Sequence, residues 1–122
     1  MEASQHEDAG YSVEFDPVEG ALLVTASGEL DLAAAPRLAT VLSIATAGAE
    51  PCVVLDLTEV DFIDSTALGA IMHASTEAEA TGKSMLVVAL DGPVRRLLEI
   101  TNLTGRFRVY PSREEALAAV AA

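Results

Sequence analysis

Two short apolar runs, each followed by a helix-like segment, constrain the fold of this chain more than any other feature. Residues 51–57 read PCVVLDL and residues 85–90 read MLVVAL. A strand with one face in water alternates apolar and polar residues, whereas a continuous apolar run is typical of a strand buried on both faces. Such strands lie in sheets covered by helices. We therefore predict an α/β fold in which the strand at 51–57 is central.

The rest of the chain supplies partners for these strands. Apolar and polar side chains alternate along residues 11–15, and a Pro and Gly turn at 17–20 then leads into the run ALLVTAS, which predicts a hairpin. Strand-like and helix-like patterns alternate from there onward, which indicates a mixed, mostly parallel sheet. We expect one domain at residues 11–122, with about five strands and about four helices, preceded by a flexible tail at residues 1–10.

Two predicted helices begin directly after strands. Asp31 is expected to cap a helix from Leu32 to about Ala47. The segment DFIDSTALG, at 61–69, is expected to form the loop after the central strand and to open the next helix. Asp64 and Ser65 are both of a residue type preferred as N-cap. If Asp64 is the cap, the Ser65 hydroxyl points outward; if Ser65 is the cap, its oxygen is bonded to amides of its own helix.

Charge and hydropathy exclude several classes of partner. The net charge is −12 and the sequence pI is about 4.3, which argues against direct binding of nucleic acid or anionic lipid. No apolar run approaches the roughly 18 residues of a membrane span, and the first ten residues are polar and acidic. We expect a cytoplasmic protein with protein partners and no membrane contact.

The sequence also argues against catalysis, a cofactor or a metal. No glycine-rich phosphate cradle follows a strand, and two His with one Cys are too few for a zinc site. His73 lies eight residues beyond Ser65, a rise of roughly 12 Å along a helix, so the two side chains cannot form a nucleophile and base pair. No catalytic residue, no cofactor and no metal ligand are predicted.

One enzyme-like alternative starts from Asp56, which ends a strand as the phosphate-accepting aspartate of a receiver domain does. The early strands lack the acidic pair that would hold Mg²⁺, and the only Lys, Lys83, lies in a turn before a middle strand. We therefore interpret Asp56 as a structural residue that caps or bonds loop amides.

Three blocks of the sequence resemble one family in their order and spacing. They read SGELD at 27–31, VVLDLTEVDFIDSTALG at 53–69 and GPVRRLLEITNL at 92–103. The chain resembles the bacterial anti-sigma factor antagonists, which are built on the STAS domain. The central block is fairly specific, whereas the other two gain weight from their position. The resemblance implies a STAS-like fold and a regulatory binding protein, not an enzyme.

The resemblance also implies a phosphorylation site. The serine that follows Asp and precedes Ser or Thr in the family falls on Ser65, with Thr66 as a less favoured acceptor. The unmodified domain would bind an anti-sigma factor that is also a serine kinase, which frees the sigma factor. Phosphorylation of Ser65 would end this binding, and a phosphatase would restore it.

A partner surface is predicted around this serine. Its members share an expected position at strand ends or in the helix start: Glu29, Asp31, Asp64, Ser65, Thr66, Ala67, Leu68 and Gly69. The family usually has Gly where this chain has Ala67, and the added methyl group is expected to hinder close backbone approach of a partner. A scaffold that assembles with like domains and is never phosphorylated remains the alternative, and the homo-oligomeric state is open.

Overall fold

A computed structural model of the chain describes residues 10–101 and 107–121. In chain order its elements are β1 (Tyr11–Val18), β2 (Ala21–Leu30), α1 (Ala35–Ala47), β3 (Cys52–Ile63), α2 (Ser65–Ala80), β4 (Ser84–Val88), α3 (Pro93–Thr101), β5 (Arg108–Tyr110) and α4 (Arg113–Ala121). The predicted α/β class is confirmed. The predicted tail at residues 1–10 lies, apart from Gly10, outside the described residues.

The five strands form one sheet in the order β1-β2-β3-β4-β5. The β1–β2 pair is antiparallel, as the predicted hairpin requires, and the other three pairs are parallel. Helices α1, α2 and α3 contribute side chains such as Leu38, Ile71 and Leu98 to one core cluster, whereas α4 contributes Ala116 to a second cluster. Consecutive strand order explains this division, because right-handed crossovers place all the connecting helices on the same face.

Strand β3 is central, as predicted, but it is almost twice as long as predicted. The prediction that the segment after residue 57 is a loop is wrong, because β3 continues to Ile63. Its register with β2 shifts after Asp56 and again after Val60, and at each shift β3 carries one residue more than β2. These bulges break the period of two and so hide the strand from pattern analysis.

Helix α1 begins at Ala35, three residues later than predicted. The Asp31 carboxylate accepts the backbone amides of Ala33 at 3.1 Å and Ala34 at 3.2 Å, so it stabilises the turn between β2 and α1. The prediction that Asp31 caps the helix itself is therefore wrong, although it does bond amides at this connection. When an Asp side chain accepts a hydrogen bond from the amide two residues ahead, the backbone forms a turn in place of the first turn of a helix.

An ion pair between Asp56 and Arg113 joins the centre of the sheet to α4. Asp56 is 2% exposed, and one of its oxygens accepts the Arg113 Nε–H at 2.7 Å. The other accepts the amide of Thr58 at 2.9 Å. The structural role predicted for Asp56 is confirmed, although the bonded amide lies in a strand and the arginine was not anticipated. A carboxylate enclosed in this way is not presented to a phosphate donor, which removes the support for a receiver-like site.

Gly28 brings the end of β2 close to the start of β1. Its φ is +85°, and a Cβ at this position would overlap the carbonyl oxygen of Gly10. That oxygen accepts the amide of Glu29 at 3.1 Å. The glycine of the SGELD block is thus required by the local backbone, and it fixes the position of Glu29 near the end of β2.

Candidate functional site

Asp64 is the N-cap of α2. It is the single residue between β3 and α2, with extended backbone angles (φ −100°, ψ 179°), and its Oδ1 accepts the amide of Ala67 at 3.0 Å. A carboxylate at this position satisfies a free helix amide and lies at the positive end of the helix dipole. Of the two alternatives that the sequence left open, the structure has Asp64 as the cap and Ser65 as the first helical residue.

The hydroxyls of Ser65 and Thr66 are exposed at this helix start. Within residues 10–101 and 107–121, neither hydroxyl has a hydrogen-bond partner. The first amides of a helix also lack intrahelical partners. The start of α2 therefore presents two free hydroxyls beside amides that can stabilise an anion.

Glu29 and Asp31 lie next to this turn. The amide of Asp64 donates to the carbonyl oxygen of Leu30 at 3.1 Å, and Leu30 is paired with Ile63 in the sheet. Glu29 and Asp31 are the two sequence neighbours of Leu30, so they lie beside the end of β3. Glu29 is exposed, whereas Asp31 is partly buried and its carboxylate accepts hydrogen bonds from two amides of its own turn.

Three residues of the predicted partner surface differ in how far they are exposed, namely Ala67, Leu68 and Gly69. Ala67 is 0% exposed and belongs to the core, so its side chain is not presented at the surface of the domain. Its burial also means that the methyl group replacing the family's usual glycine does not protrude from the surface. Leu68 is partly buried and packs against the core, and Gly69 is exposed with open space around it.

Sequence reasoning missed two exposed apolar residues beside the turn. Leu32 is 69% exposed and Phe62 is 49% exposed. Regular alternation would place Phe62 on the same face as Val60, which is buried, but the extra residue Asp61 turns Phe62 outward. Leu32 was predicted to start a helix and instead lies in the turn held by Asp31.

No group of three His, Cys, Asp or Glu side chains that could hold a metal ion occurs within the described residues. His73 lies on the surface of α2 and its Nε2 is 3.8 Å from an oxygen of Glu77, farther along the helix from Ser65. In the part of the chain that the structure describes, no helix is both long and apolar enough to cross a membrane.

Comparisons with known proteins agree with this geometry. The STAS domain model matches residues 12–116. The anti-sigma F factor antagonist of Paenibacillus polymyxa is 30% identical over 107 residues, which cover 86% of this chain and 91% of the relative. A solved anti-sigma factor antagonist from Mycobacterium paratuberculosis superposes with a TM-score of 0.83 at 28% identity, over 92% of this chain and 95% of that one.

A further neighbour shows the fold alone. The Bacillus cell fate determinant SpoIIAA, solved in its phosphorylated form, has a TM-score of 0.70 at 20% identity, with 89% of this chain and 99% of that chain covered. The family model spans most of the sequence, and the solved antagonist at 28% identity shares its architecture. This chain therefore belongs to the STAS domain family, and anti-sigma factor antagonists are among the relatives that it resembles.

Proposed function

We propose that this chain is an anti-sigma factor antagonist whose binding is switched off by phosphorylation of Ser65. In its unmodified form it binds an anti-sigma factor that is also a serine kinase, and the sigma factor is released. A phosphatase removes the phosphoryl group and restores binding. The observation that carries the proposal is the exposed, unbonded hydroxyl of Ser65 directly after the cap residue Asp64.

The domain itself can accept the modification. A phosphoryl group adds about −1.5 to −2 charges at neutral pH. At Ser65 this charge lies at the start of α2, where free amides and the helix dipole favour an anion. The side chain points away from the core, so no packed group has to move. That a protein of the same fold has been solved in a phosphorylated form supports this step.

The modification weakens the complex through charge at the interface. A kinase must place the terminal phosphate of its nucleotide against the Ser65 oxygen, and after transfer the new phosphoserine faces the remaining diphosphate. At ~6 Å and an effective dielectric constant of ~20, each like-charge pair costs ~3 kcal/mol, which is about a hundredfold in affinity. Asp64 and the exposed Glu29 and Asp61 add further negative charge near the same point.

Phosphorylation assays with matched variants test the proposal. The wild-type chain, Ser65→Ala and Thr66→Ala are incubated with the cognate anti-sigma factor kinase and ATP, and the site is mapped by mass spectrometry. We expect one phosphoryl group on the wild type and on Thr66→Ala, and none on Ser65→Ala. An unmodified wild type, or a phosphorylated Ser65→Ala variant, contradicts the proposal.

Binding of the Ser65→Glu variant tests the switch separately. The glutamate carries one negative charge near the phosphoryl position. The dissociation constant of the Ser65→Glu variant for the anti-sigma factor kinase should therefore rise by at least about tenfold, whereas Thr66→Glu should raise it less. If Ser65→Glu binds as the wild type does, and light scattering shows large homo-oligomers, the alternative of a non-phosphorylated scaffold is favoured.

A further inference from the structure

We propose that Leu32 and Phe62 are the apolar anchors by which this domain docks on the anti-sigma factor kinase, in an apolar recess rimmed by Lys or Arg. The inference rests on the proposed function and deepens it, because it names side chains that hold the partner without taking part in phosphoryl transfer.

Both residues lie close to Ser65, one along the chain and one across the sheet. Phe62 is three residues before Ser65, a reach of at most about 10 Å along the chain. Leu32 is two residues after Leu30, whose carbonyl oxygen accepts the amide of Asp64. Large apolar side chains with this degree of exposure are few in the described chain, and the others are Phe15, Ile44, Leu90 and Ile100. Leu32 and Phe62 are therefore within reach of a partner that docks on the Ser65 hydroxyl.

Both anchors are held in place by backbone structure. The turn that carries Leu32 is tied by two hydrogen bonds to the Asp31 carboxylate. Phe62 is part of β3 and is paired with Glu29 in the sheet. The core does not need either side chain, since their neighbours Leu30 and Ile63 fill it. Exposed apolar groups on a rigid backbone lose little conformational freedom on binding, which favours affinity.

The charges around the anchors identify the kind of partner. Residues 27–35 and 58–72 contain no Lys or Arg. They contain five acidic residues, namely Glu29, Glu59, Asp61, Asp31 and Asp64, and the first three are exposed. A second copy of this chain would bring like charges together, so self-association through this surface is disfavoured. A partner that has Lys or Arg around an apolar recess is complementary to this acidic surface and its two apolar side chains.

Substitutions with matched controls test the anchors. Leu32→Ser and Phe62→Ser remove apolar contact beside Ser65. Ile44→Ser and Phe15→Ser remove similar side chains, 48% and 44% exposed, from α1 and β1. Phe15 is paired with Val24, five positions along β2 from Glu29 and hence about 16 Å away.

We expect each anchor variant to raise the dissociation constant for the kinase, and the KM for phosphorylation of Ser65, by about tenfold or more. The kcat should stay within about twofold, because the anchors do not touch the reacting atoms. The control variants should match the wild type. Charge reversal by Asp61→Lys should slow association at low salt and have less effect at high salt.

Four results would overturn the inference. If the anchor variants bind and are phosphorylated as the wild type is, the docking surface is elsewhere and the proposed function stands. If the controls weaken binding equally, the anchors have no special role. If Phe62→Ser instead abolishes a homodimer of the wild type, the surface serves a second copy. Absence of phosphorylation in the wild type removes the proposed function and this inference together.

Discussion

At the scale of single residues, two adjacent residues at the start of α2 have two different roles. Asp64 bonds the helix amide, and Ser65 is left with an unbonded hydroxyl in water. Both residue types favour the cap position, so the sequence could not assign the tasks. The structure assigns them by position, because β3 ends at Ile63 and leaves Asp64 as the single residue between the strand and the helix.

This division predicts unequal effects on stability. Asp64→Ala should lower the free energy of unfolding by about 1 kcal/mol, because it removes the cap and its charge at the helix start. Ser65→Ala should change it by less than about 0.5 kcal/mol, since the hydroxyl has no bond to lose. Urea denaturation followed by circular dichroism measures both values. A larger loss for Ser65→Ala than for Asp64→Ala would show that the cap has been misassigned.

At the scale of elements, the sequence predicted which segments are strands and helices better than where they begin and end. The hairpin, the central strand and the four helices were predicted from apolar patterns together with capping and turn residues. The last six residues of β3 were not, because the two bulges interrupt its alternation. The late start of α1 was missed because the Asp31 side chain bonds the turn that precedes it. The burial of Ala67 could not be read from the sequence, since a small residue fits either a core or a surface.

Helix α4 offers an element-scale prediction, because the Asp56–Arg113 pair fixes its first residue to the sheet. Arg113→Met should destabilise the domain by about 2 kcal/mol, since it leaves the carboxylate of Asp56 buried without its cation. The exposed Arg108→Met, on β5, should cost less than about 0.5 kcal/mol. Thermal and urea unfolding provide the comparison.

A double variant separates the ion pair from packing of the arginine. Asp56→Asn combined with Arg113→Met removes the buried charge together with its partner, so it should be less destabilised than the sum of the single variants. Additive losses would show that Arg113 stabilises α4 by packing alone.

At the scale of the whole molecule, the chain carries far more negative than positive charge. The chain of 122 residues has 19 acidic and seven basic residues, which gives a net charge of −12. Repulsion of this kind destabilises a compact state but favours solubility and encounter with basic partners. The acidic residues beside Ser65 concentrate part of this charge where a partner would dock.

The charge leads to a prediction about salt. Raising NaCl from about 10 mM to about 100 mM shortens the Debye length from about 30 Å to about 10 Å, so repulsion across the domain should weaken and the urea midpoint should rise. The Asp56–Arg113 pair, with its buried carboxylate, should be screened little. A midpoint that falls with salt would mean that favourable ion pairs outweigh the repulsion.

The single-residue connection between β3 and α2 has one more consequence. Enzymes that bind their targets as extended peptides need a flexible segment on both sides of the modified residue. Ser65 has no such segment, because its backbone is already helical and β3 ends only two residues before it. Any enzyme that esterifies Ser65 must recognise the folded domain, so a free peptide copied from residues 59–71 would be a poor substitute. Phosphorylation of Ser65 would therefore occur only on chains that have already folded.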